Sequence, residues 1–177
     1  MVIGKRHPPS ILKSLSIFIL AILGFGYLSI AVSTGDLLWF WPAFNGKPAS
    51  ITVHCAGRLR PVPPGSNAFE QLSNGLNDEL WGLNQWQTLS LSEATWNDYV
   101  LGEESQVLEY RFSPYETIHS YFRFFKNFDT LIVPLEGRHA NSNPVFGLKG
   151  ELILPGSFRL ESNAPLQEIV REYNLCP

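Results

Sequence analysis

The chain has 177 residues, of which 45% are hydrophobic and 16% charged, and its formal net charge is −3. This composition excludes an intrinsically disordered chain, which would carry fewer apolar and more charged residues. Three of the 13 basic residues, Lys5, Arg6 and Lys13, precede a long apolar segment, so the rest of the chain holds ten basic and 16 acidic residues. This acidic balance argues against a nucleic-acid partner for that part of the chain.

The apolar segment, residues 14–35, contains no charged residue. A helix of this length spans about 33 Å, enough to cross a hydrocarbon core of about 30 Å. Basic residues precede it and the first acid, Asp36, follows it, which predicts a cytoplasmic N-terminus. We therefore divide the chain into a cytoplasmic basic N-terminus (1–13), a transmembrane signal anchor (14–35), an interfacial aromatic segment and linker (36–50), and an extracytoplasmic domain (51–177).

A cleavable signal peptide is the competing interpretation of this segment. Ala31-Val32-Ser33 places small residues where a signal peptidase would cut after Ser33, but the apolar run is longer than a usual signal core. Cleavage would also leave the aromatic sequence that follows exposed to water. Trp39 and Trp41 suit the headgroup level beside a retained helix, which favours the anchor.

Both strands and helices are predicted in the rest of the chain. Residues 41–50 contain two prolines and a glycine, which predicts a short linker that lifts the domain off the membrane. Period-two alternation predicts strands over 51–55 and 58–62, joined by a turn at Ala56-Gly57. Asn67 is a candidate N-cap for a helix running to about Trp81, and Ser92 is one for a second helix ending at Gly102.

From Gln106 the pattern changes to strands, predicted over 106–112, 117–125, 130–135 and 151–155, with an edge strand near 156–162. A last helix is capped by Asn163 and has Pro165 in its first turn. The fold class is therefore α+β, with one N-terminal transmembrane helix before a single domain of mainly antiparallel sheet and two or three helices. Many aromatic residues lie within 110–128, which is typical of a sheet core rather than an exposed recognition patch.

The two cysteines, Cys55 and Cys176, predict one disulfide on the oxidising side of the membrane. Buried free thiols, or a metal site shared with histidine, are the alternatives. His54 neighbours Cys55, but no short spacing typical of zinc ligands is present, so we expect no metal site. His54 and His119 are expected on sheet faces.

The strongest polar cluster lies in the loop 136–144, between two apolar strands. Its candidate ligand-binding residues are Glu136, Arg138, His139, Asn141 and Asn143. Such a loop could bind an anion or provide a general base, but a solvated strand connection is the simpler interpretation. No nucleophile-elbow, phosphate-loop, dinucleotide or zinc-protease motif occurs, so no catalytic residue and no cofactor is predicted.

These observations favour a non-enzymatic, single-pass membrane protein. Its outer domain would act through contacts with another membrane or envelope protein, as an accessory, sensor-associated or assembly factor. A small-ligand or glycan-binding envelope domain that uses the 136–143 loop is the second hypothesis. A cell-envelope hydrolase with His139 as its base is the third.

Overall fold

The computed structural model describes residues 11–41, 43–80, 86–102, 105–123 and 125–176. These residues form one long N-terminal helix and a single α+β domain with three further helices and seven strands, which confirms the predicted fold class. The elements are α1 (Ile11–Thr34), β1 (Ser50–Cys55), β2 (Arg58–Val62), α2 (Asn67–Glu79), α3 (Glu93–Leu101), β3 (Gln106–Glu116), β4 (Phe128–Glu136), a 3₁₀ turn (Ala140–Ser142), β5 (Pro144–Lys149), β6 (Leu152–Ile153), β7 (Phe158–Arg159) and α4 (Ala164–Glu172).

The strands pair in the order β2-β1-β3-β4-β5-β6, and β7 pairs with the start of β5. Each pair is antiparallel. The β1–β2 hairpin turns at Ala56-Gly57, where both residues have positive φ, as the sequence predicted. A positive φ at two consecutive residues is the backbone conformation that a two-residue hairpin requires.

Helices α2 and α4 cover one face of the sheet. Val53, Leu108 and Val133 lie on this face and are fully buried together with Leu72 of α2 and Leu166 of α4. This is the face that the period-two alternation predicted to be buried, because alternate residues of a strand point to the same side.

The opposite face is also covered near its centre. Val107, Ile132 and Phe146 pack there with Tyr99 of α3 in a second apolar cluster. The alternation predicted only one buried face, so this is a correction. The physical reason is that Tyr99 of α3 and Leu91, just before this helix, pack on the strands and remove their second face from water.

The helix caps agree with the sequence only in part. Ser92 accepts a hydrogen bond from the third backbone N–H of α3, as predicted. For α2 the cap is Ser66, one residue before the expected Asn67. Asn163 precedes α4, but its amide donates to carbonyls elsewhere in the domain and makes no cap bond. The predicted end of α2 at Trp81 lies outside the described residues.

The strand predicted over 117–125 is not formed. Residues 117–123 and 125–127 have no strand structure, and β4 begins only at Phe128. Ile118, Ser120 and Phe125 are nevertheless fully buried. The alternation in this segment therefore reflects side chains that point inwards from a loop. It does not reflect the hydrogen-bonded ladder of a strand. We call residues 117–127 the junction loop.

The linker predicted over 41–50 is packed against the domain. Phe44 is 4% exposed, and its ring contacts those of Phe112 and Phe128 at centroid distances of 6.0 Å each. Asn77 of α2 donates a hydrogen bond of 3.2 Å to the Gly46 carbonyl. This part of the chain therefore holds the domain close to α1 instead of lifting it away.

The antiparallel register gives the sheet two distinct ends. The ends of β3 and β5 and the start of β4 lie at one end, next to α1, which we call the junction end. The β1–β2 hairpin and the loop 137–143 lie at the other, which we call the distal end. Because β3 runs the full length of the sheet, the two ends are separated by about 30 Å.

Candidate functional site

Asp36, directly after α1, is the centre of a buried polar cluster at the junction end. His119 Nδ1 lies 3.0 Å and Lys126 Nζ 3.3 Å from its carboxylate oxygens, and the Leu38 backbone N–H donates a bond of 2.9 Å. Lys126 also donates to the Thr34 carbonyl at 2.7 Å. The last residues of the helix are thus bound to the junction loop by a shared set of polar contacts.

These contacts determine the charge of the Asp36 carboxyl. Burial alone would raise its pKa, but the hydrogen bonds from Leu38 and His119 and the positive charge of Lys126 lower it. The group therefore stays ionised at neutral pH and keeps its partners. A buried carboxylate without them would carry a large desolvation cost.

The residues after Asp36 fold back along the end of α1. Gly35 has a φ of 66°, which reverses the chain. The Tyr27 hydroxyl then donates to the Leu37 carbonyl at 2.8 Å, and the Tyr27 and Phe40 rings meet edge to face at 6.1 Å. Residues 36–41, the fold-back segment, therefore lie beside the last two turns of the helix.

Most apolar side chains of the fold-back segment remain exposed in the structure. The exposed set is Leu37, Leu38, Phe40 and Trp41. Trp39 is half-buried and packs edge to face on Phe40 at 5.9 Å. The two tryptophans predicted for a membrane interface thus adjoin the helix end, where lipid would surround them if α1 spans a bilayer.

A cleft of about 610 Å³ opens on the face of the sheet that α3 partly covers. We call it the sheet-face cleft. Four carboxylates line it together with one arginine, one threonine and apolar side chains. Its lining comprises Glu93, Glu109, Asp129, Glu151, Arg111, Thr130, Gly150, Trp96, Phe112, Leu148 and Ile153.

Beneath this cleft lies a buried charged group, Glu109, which is 5% exposed. His54 Nε2 lies 2.7 Å from one of its oxygens and Arg111 Nε lies 2.5 Å from the other. Burial alone would raise the pKa of Glu109, but the hydrogen bonds from His54 and Arg111 lower it. Trp96 covers the imidazole edge to face at 5.7 Å.

The tautomer of His54 follows from this geometry. A carboxylate can only accept, so Nε2 carries the proton that it donates to Glu109. His54 Nδ1 is buried and has no hydrogen-bond partner among the described residues.

The loop predicted as the ligand site lies at the distal end, far from the Asp36 cluster. Glu136, Arg138 and Asn141 are exposed, whereas His139 and Asn143 are half-buried. Arg138 and Asn143 bond to Asp98 and to the Glu161 carbonyl, so these contacts do not join the five side chains at one centre. Its candidate role in ligand binding therefore remains a prediction.

Two contacts hold this loop in place. The Tyr99 hydroxyl donates to the Arg138 carbonyl at 2.8 Å, and the Arg138 side chain lies 3.4 Å from the Asp98 carboxylate. Burial and the neighbouring charge of Arg138 lower the pKa of His139, so its ring is neutral at neutral pH. The loop thus exposes polar side chains, while its contacts with α3 hold its backbone in place.

Cys55 and Cys176 form the predicted disulfide, with Cα atoms 5.6 Å apart. The bond joins the end of β1 to the chain that follows α4. Leu166 and Val170 of α4 are fully buried. The elements that α4 mainly contacts are α2 and β4, and only the chain that follows the helix reaches β1, through the disulfide. The bridge lies at the distal end, beside the β1–β2 hairpin.

The sequence pointed to none of the residues that form the two buried clusters as functional. His119 was assigned to a strand face, and Asp36 was used only as evidence of orientation. One signal was available for Glu109: it alternates with buried residues inside a strand, where an acid is rare. No group of three or more histidine, cysteine or acidic residues suited to a metal ion occurs among the described residues.

Comparisons of the chain with protein-family models, with curated proteins and with solved structures gave no match. Helix α1 is long and apolar enough to cross a membrane, although a signal sequence near an N-terminus has the same properties. The helix and the disulfide are together compatible with a membrane-anchored extracytoplasmic protein.

Proposed function

We propose that this chain is a single-pass membrane protein whose outer domain acts through contacts with another membrane or envelope protein. The observation that carries the proposal is the junction: Asp36, His119 and Lys126 bind the end of α1 to the domain. Cleavage after Ser33 would remove the helix that the fold-back segment packs on. Retention of the helix therefore agrees with the way the domain is built.

The orientation follows from charge. Basic residues precede α1, and the first acidic residue follows it, so the domain lies outside the cytoplasm. The disulfide supports the same side, because such bonds persist in oxidising compartments. The distal end then faces away from the membrane and displays Glu136, Arg138 and Asn141 to a partner.

N-terminal sequencing of the protein extracted from native membranes tests the anchor. We expect the chain to begin at Met1 or Val2. A start at Thr34 in a soluble fraction would show that the segment is a cleaved signal, and the anchor proposal would fail.

Co-purification tests the protein contact. The tagged full chain, cross-linked in native membranes and solubilised, should retain one stoichiometric partner. Arg138→Glu at the exposed distal loop should weaken this association, whereas Lys47→Glu, an exposed charge reversal near the junction end, should not. Absence of any stoichiometric partner, or equal effects of the two variants, would contradict the proposal.

A second candidate function is small-ligand or glycan binding, and the sheet-face cleft favours it. Its volume of about 610 Å³ lies within the range of ligand pockets, and it combines an aromatic side chain, Trp96, with several carboxylates. Its position differs from the distal loop that the sequence suggested. A thermal shift produced by a glycan library, and lost in Trp96→Ala, would support this candidate over the first.

A further inference from the structure

We propose that the outer domain rests directly on the bilayer with its junction end, so that Tyr115 and Tyr121 lie among phospholipid headgroups. The partner that contacts the junction end is thus the lipid bilayer. The inference rests on the membrane anchor of the proposed function and adds a second, independent area of membrane contact. Three observations lead to it.

The first observation is the depth at which the chain leaves the helix. About 20 helical residues span the hydrocarbon core, so the end of α1 at Thr34 lies close to its outer edge. The fold-back segment then returns alongside the last two turns, which cover about 11 Å. Leu37, Phe40 and Trp41 are therefore exposed at a depth where lipid replaces water.

The second observation is that the domain reaches the same level. His119 and Lys126 contact Asp36, and Lys126 also contacts the Thr34 carbonyl. Two residues of extended chain cover at most about 7 Å, so the backbone of Tyr121 lies within that distance of the backbone of His119. The junction loop thus lies beside the outer edge of the hydrocarbon core.

The third observation is the distribution of exposed aromatic residues. Outside α1, the exposed aromatic side chains among the described residues are Phe40, Trp41, Tyr115 and Tyr121. All four lie in the fold-back segment or at the junction end, with Tyr115 56% and Tyr121 47% exposed. At the distal end the large exposed side chain of the β1–β2 hairpin is aliphatic, Leu59.

This distribution is the one expected of a membrane interface. Tyrosine and tryptophan combine an apolar ring with a polar group, and they concentrate at the headgroup level. Because Phe44 is packed in the core and Asp36 is bound to the junction loop, the domain has no long free tether on which to move away. The tyrosines are therefore held towards the membrane by the fold.

Site-specific fluorescence quenching in the full chain tests the proposal. Tyr121→Cys, Tyr115→Cys, Phe40→Cys and Leu59→Cys would each be labelled with an environment-sensitive fluorophore, the native disulfide being left intact. The proteins would be reconstituted in phosphatidylcholine nanodiscs with and without lipids that carry a nitroxide on the headgroup. Phe40 is the control for insertion of the anchor, and Leu59, 61% exposed, is the matched control at the distal end.

We expect clear quenching at positions 40, 115 and 121, and only background quenching at 59. Background values at both 115 and 121, with clear quenching at 40, would overturn the proposal while leaving the anchor intact. Background values at position 40 as well would mean that both the anchor and the proposal fail. Paramagnetic broadening of backbone amide signals in the unsubstituted chain, stronger at 115–123 than at 56–60, provides the same test without cysteine variants.

Discussion

Replacing Phe44 by alanine tests whether the residues after the helix belong to the core of the domain. The ring is 4% exposed and lies between Phe112 and Phe128. Truncating a buried phenylalanine to alanine removes its burial and leaves a cavity, which costs about 3–5 kcal/mol of unfolding free energy. An unpacked linker residue would cost about 0.5 kcal/mol or less.

Gly46 makes this test sharper. A side chain at this position would collide with the Phe44 ring and closely approach Phe112. Gly46→Ala should therefore cost about 1–3 kcal/mol in the native chain, as expected for overpacking. In the Phe44→Ala background this cost should fall, because the nearer ring is gone and the Phe112 ring, 2.9 Å from the added carbon, gains room to shift.

Urea unfolding of the full chain in nanodiscs, followed by near-ultraviolet circular dichroism, would measure these changes. Leu59→Ala at an exposed position is the control and should change stability by less than about 0.5 kcal/mol. Two results would refute the argument: a Phe44→Ala cost no larger than that of the control, or an equal cost of Gly46→Ala in both backgrounds.

Three further predictions concern the distal disulfide, the buried carboxylate and the polar loop. Cys176→Ser should lower the unfolding free energy, by up to the chain-entropy limit of about 4–5 kcal/mol for a sequence separation of 121 residues. Equal denaturation midpoints of the unsubstituted chain with and without reductant would contradict this loss. Glu109→Gln should cost about 1–3 kcal/mol at pH 7, because His54 and Arg111 lose a charged acceptor. Folding lowers the pKa of Glu109, so its carboxylate stabilises the folded state above about pH 4.3, and this stabilisation is lost as the pH falls through the pKa of the folded state. In the Glu109→Gln variant the unfolding free energy should therefore decrease less steeply as the pH is lowered. Arg138→Ala should change stability by less than about 0.5 kcal/mol, and a loss of several kcal/mol in calorimetry would show that the loop is packed.

Several features that depend on neighbours in the chain were predicted correctly, although Asn67 and Asn163 do not cap their helices as expected. The apolar run gave α1, Ser92 gave the start of α3, and Ala56-Gly57 gave the first hairpin. The alternation assigned residues 107–112 of β3 to two opposite faces of the sheet, as observed. These signals are local, because helix periodicity, caps and tight turns are determined within a few residues.

The disulfide is a long-range feature that was nevertheless predictable. The chain has two cysteines, so only one intramolecular pairing was possible, and Cys55 and Cys176 form it. That bond places the chain that follows α4 beside the end of β1. A covalent constraint thus supplied tertiary information that side-chain periodicity does not contain.

Other features were decided by the tertiary structure alone. The loop 117–127 has the alternation of a strand, yet it is fixed by contacts with a helix end 83 residues earlier, through Asp36 and His119. A pattern of period two records which side chains face inwards, and both a strand and a pinned loop satisfy it. Only the contact with a residue distant in the chain distinguishes the loop from a strand. Such an ion pair leaves no periodic pattern in the sequence.

The same reasoning explains why neither the Asp36 cluster nor the Glu109 cluster was predicted from the sequence. Glu109 meets His54 across two paired strands, 55 residues apart in the chain, and the second sheet face is buried because Tyr99 of α3 packs on it. Composition and periodicity determined that this is an α+β domain behind one long apolar helix. Which polar side chains share a buried environment was decided by the packing of α3 and the junction loop, because desolvation and ion pairing depend on distances in space and not on separation along the chain.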